Sequence, residues 1–311
     1  MEVAVSVILT VVGLALLCFG GNWLVSGSVT IAKKFRISNL VIGMTIVAYG
    51  TSTPELAASI AAAGEHSAII LGNVIGSNIA NIGMVIGIAA ILAPLVVRKS
   101  VLRKEIFIML GVSFLLVLLS IDGEISQYDG ILLLGGLGVF AFYTYKDAMK
   151  QREENKEKIE KGKKNIYLKS IVLIGIGVAL LYVGAILTVD NAIILAKEFG
   201  ISEKIIGLTV IAIGTSFPEL ITSVIAVRKG HTDIGIGTII GSNIYNILMI
   251  MGVGAALGGV MIGSDVYVDY AIMIIFGLSL LIALKTGIIN RVMGVCLTIG
   301  YVAYLAVTFF K

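Results

Sequence analysis

The segment ISNLVIGMTIVAYGTSTPELAAS at residues 37–59 recurs as ISEKIIGLTVIAIGTSFPELITS at 201–223, with 13 of 23 positions identical. The likeness extends upstream, where GLALLCFGG and IAKKF face GVALLYVGA and LAKEF. Downstream, GNVIGSNIANIGMVIG at 72–87 faces GTIIGSNIYNILMIMG at 237–252. Matched Ile and Val arise between any two apolar helices. A shared GTS-x-P-E-L, followed at nearly one spacing by IGSNI-x-N, does not. The chain is one half written twice, and its fold must accommodate two copies of one unit.

Both copies are built from apolar segments. Hydrophobic residues form 58% of the 311 and charged residues 14%, with a mean hydropathy of +1.04; soluble domains carry about 25% charged residues. About 20 apolar residues cross the hydrocarbon core. Ten such segments follow one another, at about 3–27, 40–63, 69–94, 104–121, 128–146, 167–196, 205–228, 233–260, 267–285 and 289–310. The expected fold is an all-α polytopic membrane protein of about ten transmembrane helices. Residues 1–146 form a first five-helix half, 147–166 a charged linker and 167–311 a second five-helix half. Five is odd, so the second copy enters the membrane from the opposite face and the repeat is inverted.

Of the 23 Lys and Arg, 20 fall in the loops after spans one, three, five, seven and nine. Positive residues stay cytoplasmic, which places both termini outside a cell membrane and the linker KDAMKQREENKEKIEKGKKN inside. That linker interleaves Asp147, Glu153, Glu154, Glu157 and Glu160 with its cations, the pattern of a solvated hinge rather than of a lipid-binding strip. Glu2 follows the initial Met with no basic n-region or cleavage signature, so the first span reads as retained. Cys18 and Cys296 fall inside spans and read as small apolar residues. His66 and His231 fall in loops on opposite faces, too far apart to share a metal ion.

Against this background AYGTSTPEL, residues 48–56, is costly. A proline inside a helix costs about 3 kcal/mol, and a carboxylate at bilayer depth about 2.5–3.5 kcal/mol on insertion scales. Pro54 has no N–H, so the Gly50 carbonyl loses its usual partner, and the helix is expected to unwind or kink over Ala48 to Ser52. Non-helical backbone at this depth persists only when buried in protein or lining a polar cavity. Thr51 and Ser52 add hydroxyl oxygens, and Glu55 follows one turn later on the same face. The second copy offers Ala212, Thr215, Ser216 and Glu219 around Gly214 and Pro218.

The GSN segments extend the set. Ser77 and Asn81 share a helix face, as do Ser242 and Asn246, while Gly72, Gly76, Gly237 and Gly241 allow helix backbones to approach. Apart from amide nitrogens, every candidate donor atom is oxygen. That chemistry suits Na+, Ca2+, Mg2+ or Mn2+ and not zinc or copper. Two carboxylates about 6 Å apart repel by about 3 kcal/mol at an effective dielectric near 20. The pair must therefore take a divalent cation, monovalent cations or a proton, and competition among these occupants is the physical basis of exchange. Inverted repeats with interrupted spans point to a secondary transporter with its site at the midplane. A cation channel would share the architecture, but no multi-subunit filter loop stands out. No nucleotide loop or paired nucleophile and base speaks for an enzyme, an intramembrane hydrolase being the remote alternative; no cofactor or nucleic-acid partner is expected, and protein partners stay open.

The paired GTS-x-P-E and GSN-x-x-N motifs resemble the two alpha repeats of the Ca2+/cation antiporter superfamily, most closely the prokaryotic sodium/calcium exchangers. The resemblance spans essentially the whole chain and implies Na+ entry driving Ca2+ extrusion. It also implies that Ca2+ sits between Glu55, Glu219 and the main-chain oxygens of Thr51 and Thr215. One Na+ would use Ala48, Thr51, Ser52, Glu55 and Ser77; another would use Ala212, Thr215, Ser216, Glu219 and Ser242, with Asn81 and Asn246 bordering the centre. A H+/Ca2+ or other divalent-cation exchanger is the alternative. Two departures stand out. Some members carry aspartate where this chain has Asn246, which argues against a further central cation or K+ dependence. Thr238 stands where the first copy has Asn73, so the halves need not be equivalent. Asp190, whose first-half counterpart is Ser26, reads as a capping or interfacial residue.

Overall fold

The computed structural model describes residues 2–64, 66–96, 99–154, 164–198, 212–263 and 266–310. The first half holds α1 (Glu2–Phe35), α2 (Asn39–Thr51), α3 (Thr53–Ala62), α4 (Ser67–Leu92), β1 (Leu95–Val96), α5 (Lys99–Leu119), β2 (Glu124–Ile125) and α6 (Gln127–Glu154). The second holds α7 (Lys164–Glu198), α8 (Ala212–Thr215), α9 (Phe217–Arg228), α10 (Thr232–Gly258), β3 (Val260–Met261), α11 (Val266–Thr286), β4 (Ile288–Ile289) and α12 (Arg291–Phe310). Among the described residues the chain is mostly helical, and α1, α4, α6, α7, α10, α11 and α12 are long and apolar enough to cross a membrane. Val139, Phe142, Ile275, Val292 and Ile299 are each more than 60% exposed. Such an apolar exterior fits lipid, not water.

The expected second span, 40–63, is realised as two short helices that meet at Ser52. The seventh is described only from Ala212 onward, as α8 and α9; residues 205–211 lie outside the described residues. In the linker region α6 continues to Glu154 and α7 starts at Lys164. Between α1 and α2 the chain turns through Arg36, at φ 60. Ser38 then caps α2, its Oγ accepting from the Val41 N–H at 3.3 Å.

Helices α1 and α7 lie antiparallel along a seam of glycines. A Cβ at Gly13 would meet the Gly184 carbonyl at 2.9 Å, and one at Gly184 would meet the Gly13 carbonyl at 2.9 Å. Gly20 and Gly177 face each other in the same way, at 2.8 and 2.9 Å, and Gly27 meets the Ser170 carbonyl at 2.9 Å. Glycine here does what small residues do in membrane helices generally, letting backbones touch. The seven-residue spacing keeps the seam on one face of each helix. Sequence reasoning missed this seam, although positions 13, 20 and 27, with 177 and 184, were there to be counted.

The apolar interior is in two parts. Leu17, Leu24, Val25, Val29 and Leu181 belong to a smaller cluster around α1 and α7, joined by Ile42, Val47, Ala226 and Ile234. The larger cluster surrounds α4 and α10 and takes in α5, α6, α11 and α12. Helix α10 is enclosed along its whole apolar length and α4 nearly so. Two short antiparallel ribbons tie the halves together: β1 pairs with β4, Leu95 opposite Ile289, and β2 pairs with β3, Ile125 opposite Val260.

Candidate functional site

At the Pro54 break the loss of helix is smaller than expected. Ala48 to Thr51 stay helical and only Ser52 departs, at φ -83 and ψ 10, before α3 resumes with Pro54 in its first turn. Proline is tolerated there because first-turn N–H groups need no intrahelical partner. Of the unwinding or kink expected over Ala48 to Ser52, the structure shows a one-residue break at Ser52. The Ala48 carbonyl is engaged, accepting from the Ser52 N–H at 3.0 Å and the Thr51 hydroxyl at 3.1 Å. The second copy breaks likewise at Ser216, at φ -86 and ψ 3, between α8 and α9.

Less legible were three π-helical turns among the described residues, at Gly43–Val47, Asn81–Ile86 and Asn246–Met251. Such turns frequently mark functional sites. Two of them begin at candidate residues, Asn81 and Asn246.

Ten of the twelve candidates are no more than 2% exposed: Ala48, Thr51, Ser52, Glu55, Ser77, Asn81, Ser216, Glu219, Ser242 and Asn246. Glu219 is the best-held carboxylate. Its Oε1 lies within reach of the Ser52 hydroxyl at 3.1 Å and the Ser242 hydroxyl at 3.4 Å; the two hydroxyl oxygens are 3.1 Å apart, and Ser52 can donate either to the carboxylate or to Ser242. The Thr51 side chain also faces the carboxylate. Donors from both copies, Ser52 of the first and Ser242 of the second, therefore hold this carboxylate. Glu55 and Glu219 lie close enough to feel each other's charge, and the second oxygen of each is buried without a partner. Ser77 Oγ and Ser216 Oγ are also buried and unpartnered. Ala212 and Thr215 form α8, which packs on α4. Six oxygens with spare lone pairs or no partner thus belong to the candidate set: two carboxylates, two seryl hydroxyls and, farther along, Asn81 Oδ1 and Asn246 Oδ1.

The asparagines pair across α4 and α10. Asn81 Nδ2 donates to Asn243 Oδ1 at 3.0 Å, and Asn246 Nδ2 donates to Asn78 Oδ1 at 3.0 Å. Asn78 Nδ2 reaches the Asn243 carbonyl at 3.3 Å and Asn243 Nδ2 the Asn78 carbonyl at 3.4 Å. Asn78 and Asn243, the third letters of the two GSN triplets, were missed as structural residues. Their identity in both copies was the available signal. Replacing Asn78 by Leu leaves buried donors and acceptors on α10 unmatched, about 1–3 kcal/mol of destabilisation. Its thermal unfolding midpoint in detergent should fall, and adding Asn243→Leu should lower it by less than the sum of the single effects.

Gly237 and Gly241 allow the close approach expected of them: added Cβ atoms would meet the Leu40 carbonyl at 2.7 Å and the Met44 carbonyl at 2.6 Å. Cβ atoms added at Gly72 and Gly76 would meet nothing within 4 Å among the described residues. Both border a cavity of about 390 Å³ that runs from Ala68 and Asp269 inward to Asn73, Ser77 and Thr215. Asp190 is exposed within α7 rather than capping it, and Cys18 and Cys296 are exposed and unpaired. His66 and His231 precede α4 and α10, at two different helix starts. Burial and the nearby Lys33 and Lys229 hold the His231 imidazole below its usual range.

The profile of a family described as "Sodium/calcium exchanger protein" matches residues 5–146 and 169–310, nearly the whole of both halves. The chain is 34% identical to the sodium/calcium exchanger MaX1 of Methanosarcina acetivorans, over 99% of both chains. It is 36% identical to the inner membrane protein YrbG of Escherichia coli, over 97% of this chain and 96% of that one. Its fold matches the sodium-calcium exchanger NCX_Mj soaked with 10 mM Na+ and 10 mM Sr2+, at a TM-score of 0.86 and 36% identity, over 98% of each chain. Motifs, fold and both matched segments agree: the chain belongs to the sodium/calcium exchanger family.

Proposed function

We propose that this protein exchanges Na+ for Ca2+ across a cell membrane by alternating access, with the ions bound between Glu55 and Glu219. The observation that carries the reading is the shell itself. Two buried carboxylates in mutual electrostatic contact stand among hydroxyls from both halves, with oxygen the only donor besides amide nitrogen. Oxygen ligands with carboxylates suit Ca2+, and the hydroxyls can complete a Na+ shell. The site is the twelve-residue set: Ala48, Thr51, Ser52, Glu55, Ser77 and Asn81 with Ala212, Thr215, Ser216, Glu219, Ser242 and Asn246. Bound together the carboxylates repel, so the empty site resists changing sides, and transport of one ion is coupled to return of the other.

The architecture we infer is ten spans in two inverted repeats, residues 1–146 and 167–311, around a cytoplasmic linker with both termini outside. Reciprocal contacts support it. Positions equivalent by the offset of 164 or 165 make reciprocal contacts: Asn78 and Asn243 exchange equivalent bonds, and Gly13 approaches Gly184 as Gly20 approaches Gly177. The antiparallel α1 and α7 are what an odd number of spans per half requires. In this orientation the 390 Å³ cavity faces outward. The separate apolar cluster around α1 and α7 supports a motion in which this pair shifts against the larger body, closing one approach and opening the other.

Reconstituted protein loaded with Na+ and diluted into Na+-free buffer should accumulate Ca2+, and the uptake should vanish when internal Na+ is replaced by choline. Ca2+ uptake indifferent to Na+ on either side would overturn the reading. Uptake driven instead by a pH gradient in Na+-free buffer would transfer the site to H+/Ca2+ exchange.

A further inference from the structure

Glu55 and Glu219 match in sequence but are held differently. We infer that Asn73 is a positioning residue that straps the Glu55 helix to α4, making the first half the fixed wall of the ion site and the second half the wall that rearranges. The inference rests on the exchange reading above.

Asn73 Nδ2 donates to the Glu55 main-chain oxygen at 2.9 Å and to Ser59 Oγ at 2.9 Å. The Glu55 carbonyl can only accept, which fixes the amide's orientation. Its two acceptors lie one turn apart on one face of α3. A single side chain on α4 therefore sets both the rotation and the height of the helix that carries Glu55.

The second copy lacks this arrangement. Thr238 takes the place of Asn73, and its one hydroxyl donates to the Ile234 carbonyl of its own helix at 2.8 Å. Ser223, the counterpart of Ser59, is 1% exposed and its Oγ has no partner. Nothing equivalent to the Asn73 amide links α9 to α10 at this level. What holds Glu219 is its carboxylate, through Ser52 and Ser242. The reverse holds for Glu55: Ser216, the counterpart of Ser52, is unpartnered.

One glutamate is thus fixed through its main chain, and the other through a single carboxylate oxygen, Oε1, with its main chain unstrapped; each keeps its Oε2 unpartnered. An arriving cation meets Glu55 already in place. It can meet the free Oε2 of Glu219 at once, but gains both oxygens of that carboxylate only when the hydroxyls of Ser52 and Ser242 give up Oε1, a change that the unstrapped α9 permits.

The test compares Asn73→Thr with Thr238→Asn, each giving one copy the residue of the other, in full-length protein reconstituted into vesicles. Asn73→Thr should raise the half-saturating Ca2+ concentration of Na+-dependent uptake by about fivefold, the loss of one or two hydrogen bonds, with the maximal rate nearly kept. Thr238→Asn, which places an amide opposite Ser223, should do the opposite: little change in half-saturation and a maximal rate lowered about threefold, because the moving wall is tied. An unchanged half-saturation in Asn73→Thr, or the same parameter moving in both variants, overturns the inference. Should Asn73→Thr not reach the membrane, Ser59→Ala removes one of the two bonds at little change in volume. A smaller rise in half-saturation is then expected, and none overturns it. Wild-type protein that fails to exchange Na+ for Ca2+ would remove the exchange reading alone. The strap is then judged by backbone hydrogen exchange, which should quicken over α3 in Asn73→Thr and slow over α9 in Thr238→Asn; neither change would overturn it.

Discussion

Glu55→Gln and Glu219→Gln should each abolish Na+-dependent Ca2+ uptake, even though either variant keeps one carboxylate. Both residues are 1% exposed and sense each other's charge, so they form one site rather than two. Unit charges 4 Å apart attract by about 4 kcal/mol at an effective dielectric near 20, and a divalent ion doubles that. Removing one carboxylate forfeits that value of about 8 kcal/mol and relieves about 3 kcal/mol of repulsion between the pair, a net loss of about 5 kcal/mol, or several thousandfold in Ca2+ binding. Glutamine keeps the volume and an oxygen, so the loss reports charge rather than packing. In Glu219→Gln the Ser52 and Ser242 hydroxyls keep an acceptor, which should leave the unfolding midpoint close to wild type. Radiolabelled Ca2+ uptake into Na+-loaded vesicles, with protein content matched, is the measurement. Near-normal uptake by either variant would mean that the two glutamates do not share a calcium ion.

The second large effect is expected two residues apart on one helix. A Cβ at Gly177 would meet the Leu24 amide nitrogen at 2.8 Å and the Gly20 carbonyl at 2.9 Å, both main-chain atoms that cannot move unless α1 and α7 part. A Cβ at Gly175 would meet nothing within 4 Å among the described residues. Gly177→Ala should destabilise by about 1–3 kcal/mol, the usual penalty of overpacking, and Gly177→Leu should leave little exchange activity. Gly175→Ala should raise stability by up to about 1 kcal/mol, the helix-propensity gain from glycine to alanine. Unfolding midpoints in detergent and uptake rates in vesicles check both. Equal behaviour of the two alanine variants would show that the glycine seam is not a close contact in the membrane.

Much of this was legible because the motif residues carry chemistry that has few other uses at bilayer depth. Glu55 and Glu219, with Ser52 and Ser242, stand together because a buried carboxylate must find donors, and the repeat supplied each donor in duplicate. What the sequence left unread has no local signature. The π turns begin at Asn81 and Asn246 in NIGMVI and NILMIM, which are ordinary helical strings. The helix was expected to unwind or kink over Ala48 to Ser52 because Pro54 leaves the Gly50 carbonyl without its partner, but the Ser52 N–H and the Thr51 hydroxyl engage the Ala48 carbonyl and the break is confined to one residue. The glycine seam was diluted among 37 glycines, and only the pairing of α1 with α7 separates the ones in contact from the rest.

The ribbons carry a historical consequence. β1 pairs with β4 and β2 with β3, so neither half supplies both strands of a ribbon. On the inverted-repeat reading, β1 and β3 are the same strand in two copies, as are β2 and β4. A chain of half this length, inserted in the membrane in both orientations, would make the same two ribbons between separate subunits of a homodimer. In such an ancestor one gene encodes both walls of the site, and every substitution lands on each. Joining the copies releases that constraint. Only after fusion can one wall carry asparagine at the position where the other carries threonine.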